Sequence, residues 1–254
     1  MLTRRRFIKN CIATAAAFGI GASLSPMSVV DAVSSSDIPV LLYHRIGDTE
    51  GHLTISPEKF ETDLARLREL GYTTISLSTF RSFLIDSNVE MPAKPIMLSF
   101  DDGYLDNFMN AYPLLRKYGM TATFYIITSM VGEEDRLAVG HIREMASNGM
   151  SIGSHTVSHR MLGDMGKEEA ENELVLSRNY LEGMLQKPVE FVAYPKGSYN
   201  GETGPLAYES GYRGGFSITP GTCTRNTNPF VLRRIPIFSY DGDIRRTMIK
   251  RGRV

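Results

Sequence analysis

Pro95-Ile96-Met97-Leu98-Ser99-Phe100-Asp101-Asp102-Gly103 is an apolar run that ends abruptly on two adjacent carboxylates and a glycine. The run is short, bounded by Pro95 and Gly103, and lacks clean polar alternation, which is the pattern of a strand buried on both faces of a parallel sheet. Neighbouring carboxylates repel and raise one another's pKa. Such a pair is tolerated best where a cation absorbs the charge or where catalysis uses the perturbed group. For an isolated Asp-Asp-Gly the alternative is a turn in which one Asp caps the next helix. The other stretches of the chain favour the metal reading.

The pattern repeats on either side. Upstream, Pro39-Val40-Leu41-Leu42-Tyr43 reads as a strand, and Ser56-Pro57-Glu58 opens a helix with a serine N-cap, proline at N1 and Phe60, Leu64 and Leu67 on one face, closed by Gly71. A strand over residues 73–77 and a helix over 78–85 follow. Downstream, the Asp-Asp-Gly strand leads into a helix ending at Tyr118-Gly119, a strand over 121–128 into a helix ending near Asn148-Gly149, and a strand over 150–154 into a long helix over 167–185. Strands over 191–193, 214–218 and 232–235, a short helix ending at Ser210-Gly211 and a terminal helix complete the chain. About seven β/α units, with no internal repeat or low-complexity tract, predict a single α/β domain. A closed or nearly closed parallel barrel of (β/α)7 type is expected, with an open doubly wound sheet as the alternative.

In such a barrel the unusual polar residues share one rim. His44 follows the first strand, Asp101 and Asp102 the third, His155 the fifth and Tyr194-Pro195 the sixth, and barrel active sites are built where strands end. His155-Thr156-Val157-Ser158-His159 spaces two imidazoles by four, which on a helical turn would present both to one ion. By itself His-x-x-x-His more often marks solvated or capping histidines. With a carboxylate from Asp101-Asp102 it becomes a two-His-one-carboxylate set that leaves positions open for water and substrate, and hydrolysis is the natural chemistry.

Thr3-Arg4-Arg5-Arg6-Phe7-Ile8-Lys9, the small apolar stretch from Cys11 to Leu24 and Val30-Asp31-Ala32 form a basic head, an apolar core too short to span a bilayer and a small-residue cleavage site. Residues 1–32 are therefore expected to be an export signal. Its paired arginines resemble the twin-arginine type, with an ordinary secretory signal as the alternative. Residues 33–254 would then be one domain of a periplasmic or extracellular protein. Only Cys11 and Cys223 occur, so the mature chain has no internal disulfide and relies on its core. The whole chain carries 28 basic and 28 acidic residues, and without Arg4, Arg5, Arg6, Lys9 and Asp31 the balance is 24 to 27. That near-neutral balance argues against nucleic acid and electrostatic membrane docking, and for a neutral or weakly charged substrate. No membrane span is expected after signal removal, and a monomer is expected.

Ser99-Phe100-Asp101-Asp102-Gly103, then His155-Thr156-Val157-Ser158-His159, then Phe191-Val192-Ala193-Tyr194-Pro195-Lys196-Gly197 resembles the ordered motif set of the polysaccharide deacetylases, the NodB-homology domain of carbohydrate esterase family 4. The resemblance spans roughly residues 38–240 and implies a distorted β/α barrel. It further implies Asp101 as general base, Asp102, His155 and His159 as ligands of a divalent ion, and the backbone around Tyr194, Pro195 and Lys196 as part of the oxyanion and substrate site. Zinc is the first choice of ion, with cobalt, nickel or manganese as alternatives. Two parts of the family pattern are missing. Val192 and Ala193 stand where many members carry a base-orienting arginine, and no histidine follows His159 to supply the acid. Arg233 or Arg234, just before Ile235-Pro236, is the candidate replacement for the arginine. Pro39-Val40-Leu41-Leu42-Tyr43-His44-Arg45-Ile46 resembles the opening strand of the subgroup acting on poly-β-1,6-linked N-acetylglucosamine, which makes His44 the candidate acid. The expected activity is metal-assisted removal of N-acetyl groups from an N-acetylglucosamine polysaccharide, releasing acetate. Its rivals are a catalytically silent carbohydrate-binding domain and a hydrolase of another small amide or ester on a sugar, such as a deformylase.

Overall fold

The computed structural model describes residues 37–252, so the expected export signal lies outside the described residues. Chain order is β1 (Val40–Tyr43), β2 (Arg45–Ile46), β3 (Thr54–Ile55), α1 (Pro57–Glu69), β4 (Thr73–Thr74), α2 (Leu77–Ile85), β5 (Pro95–Phe100), α3 (Tyr112–Tyr118), β6 (Thr123–Ile126), α4 (Val139–Ser147), β7 (Ser151–Ser154), α5 (Lys167–Leu185), β8 (Phe191–Ala193), α6 (Thr203–Glu209), β9 (Gly214–Phe216), β10 (Ile235–Pro236) and α7 (Ile244–Gly252). Parallel pairing runs β10-β1-β5-β6-β7-β8-β9, with β4 added to β5 and β2 paired with β3. The order advances round the sheet without the reversal of a doubly wound fold, so the chain takes the distorted barrel.

Several strands are shorter than expected: 121–128 yields Thr123–Ile126 and 214–218 yields Gly214–Phe216. Residues 73–77 yield only Thr73–Thr74, because Ser76 already caps α2 by accepting from the Thr79 amide. The strand over 232–235 moves on to Ile235–Pro236, while Leu232 forms only a bridge to Phe216. Residues 232–237 nonetheless span the gap between β9 and β1. Leu232 bonds Gly215 and Ser217 on one side, while Ile235 pairs with Leu41 and the Ile237 amide donates to Leu42 on the other.

Side chains alternate across these strands. Leu41, Tyr43, Leu98, Phe100, Phe124 and Val192 meet Phe60 and Leu64 of α1 and Leu174 and Leu181 of α5 in an outer core. Phe100 stacks on Tyr43 and Phe124 there, at centroid distances of 5.4 and 4.9 Å. Val40, Met97, Tyr125, Phe191, Phe216 and Leu232 form an inner core. α2 contributes Phe80 and Phe83 to the inner set. Its Leu77 amide bonds Ser151 Oγ at the start of β7, and Arg81 meets Glu190 just before β8, so this helix lies by the amino-terminal ends of those strands. Cys223 is a buried free thiol whose Sγ donates to the Arg233 carbonyl.

One carboxylate lies inside the outer layer. Asp63 of α1 is buried and accepts from Lys59, one turn earlier, and from the Tyr43 hydroxyl. Burial outweighs both partners and raises its carboxyl to about 6. The unfolded chain releases that proton near ~3.9, so between the two values the native state binds more protons and stability falls as pH rises. A difference of that size is worth up to about 3 kcal/mol. In Asp63→Asn, the unfolding free energy from urea titrations should decline less between pH 4 and pH 6 than in the wild type, by about 1–3 kcal/mol. Identical pH slopes in the two proteins would contradict the assignment.

Candidate active site

Counting by two from the inward side chains leads to the chemistry at the rim: Val40 and Leu42 to His44, Met97 and Ser99 to Asp101, Gly153 to His155, and Leu232 to Arg234. Position 153 must lack a side chain, since a Cβ there would sit 2.4 Å from the Tyr125 ring.

Asp101 is 2% exposed, and Arg234 grips both of its oxygens at 2.7 Å. The guanidinium is itself wholly buried, donates from Nε to the Ser217 carbonyl at 2.9 Å, and lies 5.7 and 5.9 Å from the Tyr125 and Phe216 ring centroids. Of the two candidate arginines, therefore, Arg234 meets Asp101, while Arg233 bonds the Pro220 carbonyl instead. Burial would raise the Asp101 carboxyl, but the charges of Arg234 and then His155 hold it below the usual carboxylate range. It is ionised at neutral pH.

Asp102 and Gly103 turn through left-handed backbone, φ 75° and 66°. The turn brings Asp102 Oδ1 to 3.4 Å from both His155 Nε2 and His159 Nε2, longer than a good hydrogen bond. That oxygen is buried without a hydrogen-bond partner, and Asp101 is committed to Arg234, so neither carboxylate caps the following helix. His155 Nδ1 lies 2.7 Å from the Ala193 carbonyl, which leaves Nε2 to the site. Ligand atoms of Asp102, His155 and His159 all lie within 4.8 Å of one another. Three convergent donors, an orphaned carboxylate oxygen and a backbone partner behind His155 fit a divalent ion. The electrostatics agree with a tight cluster. Burial would raise Asp102, yet interaction with His155 and the charges of His44 and His159 pull it well below its usual range. Burial would lower His155, yet Asp101 and Asp102 raise it, while burial and then His155 lower His159.

The histidine pair does not sit on a helical turn. Residues 155–159 form an irregular loop in which Thr156 and His159 take left-handed backbone, φ 66° and 60°. Glu173 of α5 holds the loop by accepting from the Val157 amide at 2.8 Å, the Ser158 amide at 2.9 Å and the Ser158 hydroxyl. Sequence reasoning missed Glu173. Its signal was a glutamate on the buried stripe formed by Ala170, Leu174, Ser177 and Leu181.

His44 is half-buried, its Nδ1 has no hydrogen-bond partner, and its carbonyl accepts from Asn107 at 2.8 Å. Burial lowers its pKa despite the opposing charges of Asp101 and Asp102. The Tyr194 side chain points away into the outer core and donates to the Phe230 carbonyl, so residues 194–196 can serve the site only through their backbone and Lys196. Lys196 is exposed, and its charge acts on His159.

The polysaccharide deacetylase family model matches residues 88–215. The chain belongs to that family. This deacetylase is 32% identical over 200 residues to YxkH of Bacillus subtilis (strain 168), covering 79% of this chain and 71% of that one. It is 28% identical over 198 residues to the poly-β-1,6-N-acetyl-D-glucosamine N-deacetylase of Staphylococcus aureus (strain MRSA252), covering 72% and 68%. Its fold is similar to that of the Streptococcus pyogenes deacetylase PplD solved in complex with acetate, with TM-score 0.78, 30% identity and coverage of 85% and 97%. Among the described residues, no helix of the deacetylase is long and apolar enough to cross a membrane.

Replacing Arg234 with Gln leaves Asp101 as a buried charge without its partner. Breaking a buried pair in this way typically costs ~3–5 kcal/mol. The native Asp101 carboxyl would then lie above its unfolded value, so the deficit should be largest at pH 7 and shrink toward pH 4, where a protonated Asp101 needs no cation. Denaturant titrations at both pH values test this, and a deficit that is absent or independent of pH would show that the pair does not bear on stability.

Proposed function

We propose that the deacetylase removes N-acetyl groups from an N-acetylglucosamine polysaccharide outside the cytoplasm, acting as a monomer with one divalent ion, zinc first, on Asp102, His155 and His159. The observation that carries the reading is the three-ligand cluster set beside the ionised, arginine-held carboxylate of Asp101. The Staphylococcus aureus relative and the sequence of residues 39–46 favour a β-1,6-linked polymer.

A divalent ion in that position supplies Lewis acidity toward carbonyl and water oxygens. Asp101 accepts the proton of the attacking water as its oxygen bonds to the acetamido carbon. Arg234 orients Asp101 and keeps it ionised until that moment. Within the turn that follows β8, the Tyr194, Gly197 and Ser198 amides bond the Phe216, Tyr194 and Pro195 carbonyls, and Pro195 has no N–H. The Lys196 amide is then the candidate donor to the tetrahedral oxyanion, a role whose loss typically costs ~3–4 kcal/mol. As the carbon–nitrogen bond breaks, His44 gives a proton to the departing amine, leaving a glucosamine unit and acetate. Glu173 acts at a distance by shaping the loop that carries both histidines.

Purified protein should release acetate from β-1,6-linked N-acetylglucosamine oligomers, lose that activity in a chelator and regain it with a divalent metal. No acetate from any N-acetylglucosamine oligomer would support the silent binding domain, and formate from an N-formyl analogue the related hydrolase. Because Asp101 must be ionised and His44 protonated, kcat/KM should be bell-shaped in pH. Burial puts the His44 limb below the ordinary histidine value of ~6.5. His44→Ala should lower the rate about 10²- to 10⁴-fold and remove the alkaline limb. Near wild-type activity would return His44 to a structural role.

Export rests on the Arg4-Arg5 leader, which is outside the described residues. Replacing both arginines with Lys should leave the precursor in the cytoplasm, whereas unchanged export would indicate the general secretory route.

A further inference from the structure

Beside the rim lies a second concavity of about 350 Å³, within the range of small-ligand sites, lined by Tyr199, Thr219, Asn226, Asn228, Val231 and Arg233 among others. Its lining residues adjoin active-site residues along the chain. Tyr199 lies two residues beyond the turn at residues 195–197, which carries Lys196. Thr219 lies just beyond β9, and its carbonyl accepts the Arg234 amide at 3.1 Å. Arg233 directly precedes the arginine that holds Asp101. The groove and the site are thus linked through the adjacent residues Arg233 and Arg234 of the segment between β9 and β1.

The chemistry of the lining is that of a sugar site. Tyr199 offers an aromatic ring that is 41% exposed, suited to the apolar face of a pyranose. Around it, the Tyr199 and Thr219 hydroxyls, the Asn226 side chain and the Asn228 amide nitrogen make no hydrogen bond within the described residues, while Asn228 Oδ1 is held by the Phe230 amide. These are neutral donors and acceptors matched to hydroxyl and acetamido groups. Arg233 is the only charged side chain in the lining and has no ion-pair partner among the described residues; its side chain makes one hydrogen bond, to the Pro220 carbonyl.

An unbalanced cation discriminates between the substrate and the product of deacetylation. Two like unit charges ~5 Å apart repel enough, even at the dielectric of water, to weaken binding about fourfold, and more where screening is poorer. An acetamido group carries no charge and escapes this repulsion, while a free amine on the sugar is protonated and meets it.

We propose that this groove is a subsite for a neighbouring sugar of the bound polymer, accepting an N-acetylated or acidic unit and rejecting a glucosamine unit whose amine is already free. The identity of the polymer rests on the deacetylase reading above; the selectivity of the groove rests on Tyr199 and Arg233. Free amines would therefore be placed at spaced positions along the polymer, since a freshly deacetylated unit is a poor occupant when its neighbour reaches the active site.

The test is calorimetric titration at pH 6 of the full-length mature protein, held in a chelator to stop turnover, with a β-1,6-linked N-acetylglucosamine tetramer and with its fully de-N-acetylated counterpart. The acetylated tetramer should bind at least fourfold more tightly. Tyr199→Ala, a change at an exposed side chain, should weaken it about tenfold. Arg233→Gln should abolish most of the discrimination between the two tetramers, and Arg233→Lys should preserve it. No binding of either tetramer, equal binding of both, or unchanged discrimination in Arg233→Gln would overturn the subsite. Binding is read without chemistry, so failure of the groove and failure of acetate release are seen separately.

Discussion

The pair formed by Asp101 and Arg234 ties the architecture to the chemistry. A guanidinium with no solvent exposure is tolerable only where its charge is met and its donors are used, and here both Asp101 oxygens and the Ser217 carbonyl meet those needs. Arg234 sits in the segment that bonds to β9 on one side and to β1 on the other. Bridging the two ends of the sheet and fastening the candidate base are therefore a single structural event. The arrangement also accounts for a third motif without an arginine: a guanidinium reaches Asp101 from a different segment at the same rim.

Around that pair, the site depends on two stretches of backbone that regular structure would not provide. The left-handed turn at Asp102 and Gly103 separates the roles of two adjacent carboxylates, giving one to the arginine and leaving an oxygen of the other unpartnered before two imidazoles. The loop at residues 155–159 is equally irregular, and its Val157 and Ser158 amides are satisfied by Glu173 from a helix that begins eight residues later. A glutamate on the buried stripe of α5 is costly unless it accepts hydrogen bonds, and the loop supplies three. Its conformation and the burial of Glu173 are thus mutually dependent.

Much of this was legible because it is local. The Ser56 cap with Pro57, the span of α5 and the strand at residues 191–193 follow from capping chemistry and periodicity, and the structure has them at those positions. The convergence of His44, Asp101, Asp102 and His155 follows from topology alone, since strands of one parallel barrel end on one face. What escaped is tertiary. The spacing of His155 and His159 is helical, but the backbone there answers to Glu173. The periodicity of residues 77–85 fits a helix, yet it does not say whether that helix lies outside the barrel or joins its inner core. The choice between Arg233 and Arg234 turned on inward parity from Leu232, which requires the register of a two-residue strand.

In the proposed function, Asp102, His155 and His159 hold one divalent ion whose site does not require Asp101 as a ligand. Elemental analysis of purified protein tests it most directly. Close to one equivalent of metal is expected in the wild type and in Asp101→Asn provided that variant folds, as checked by circular dichroism, and little or none in folded His155→Ala. Metal at the wild-type level in His155→Ala would contradict it.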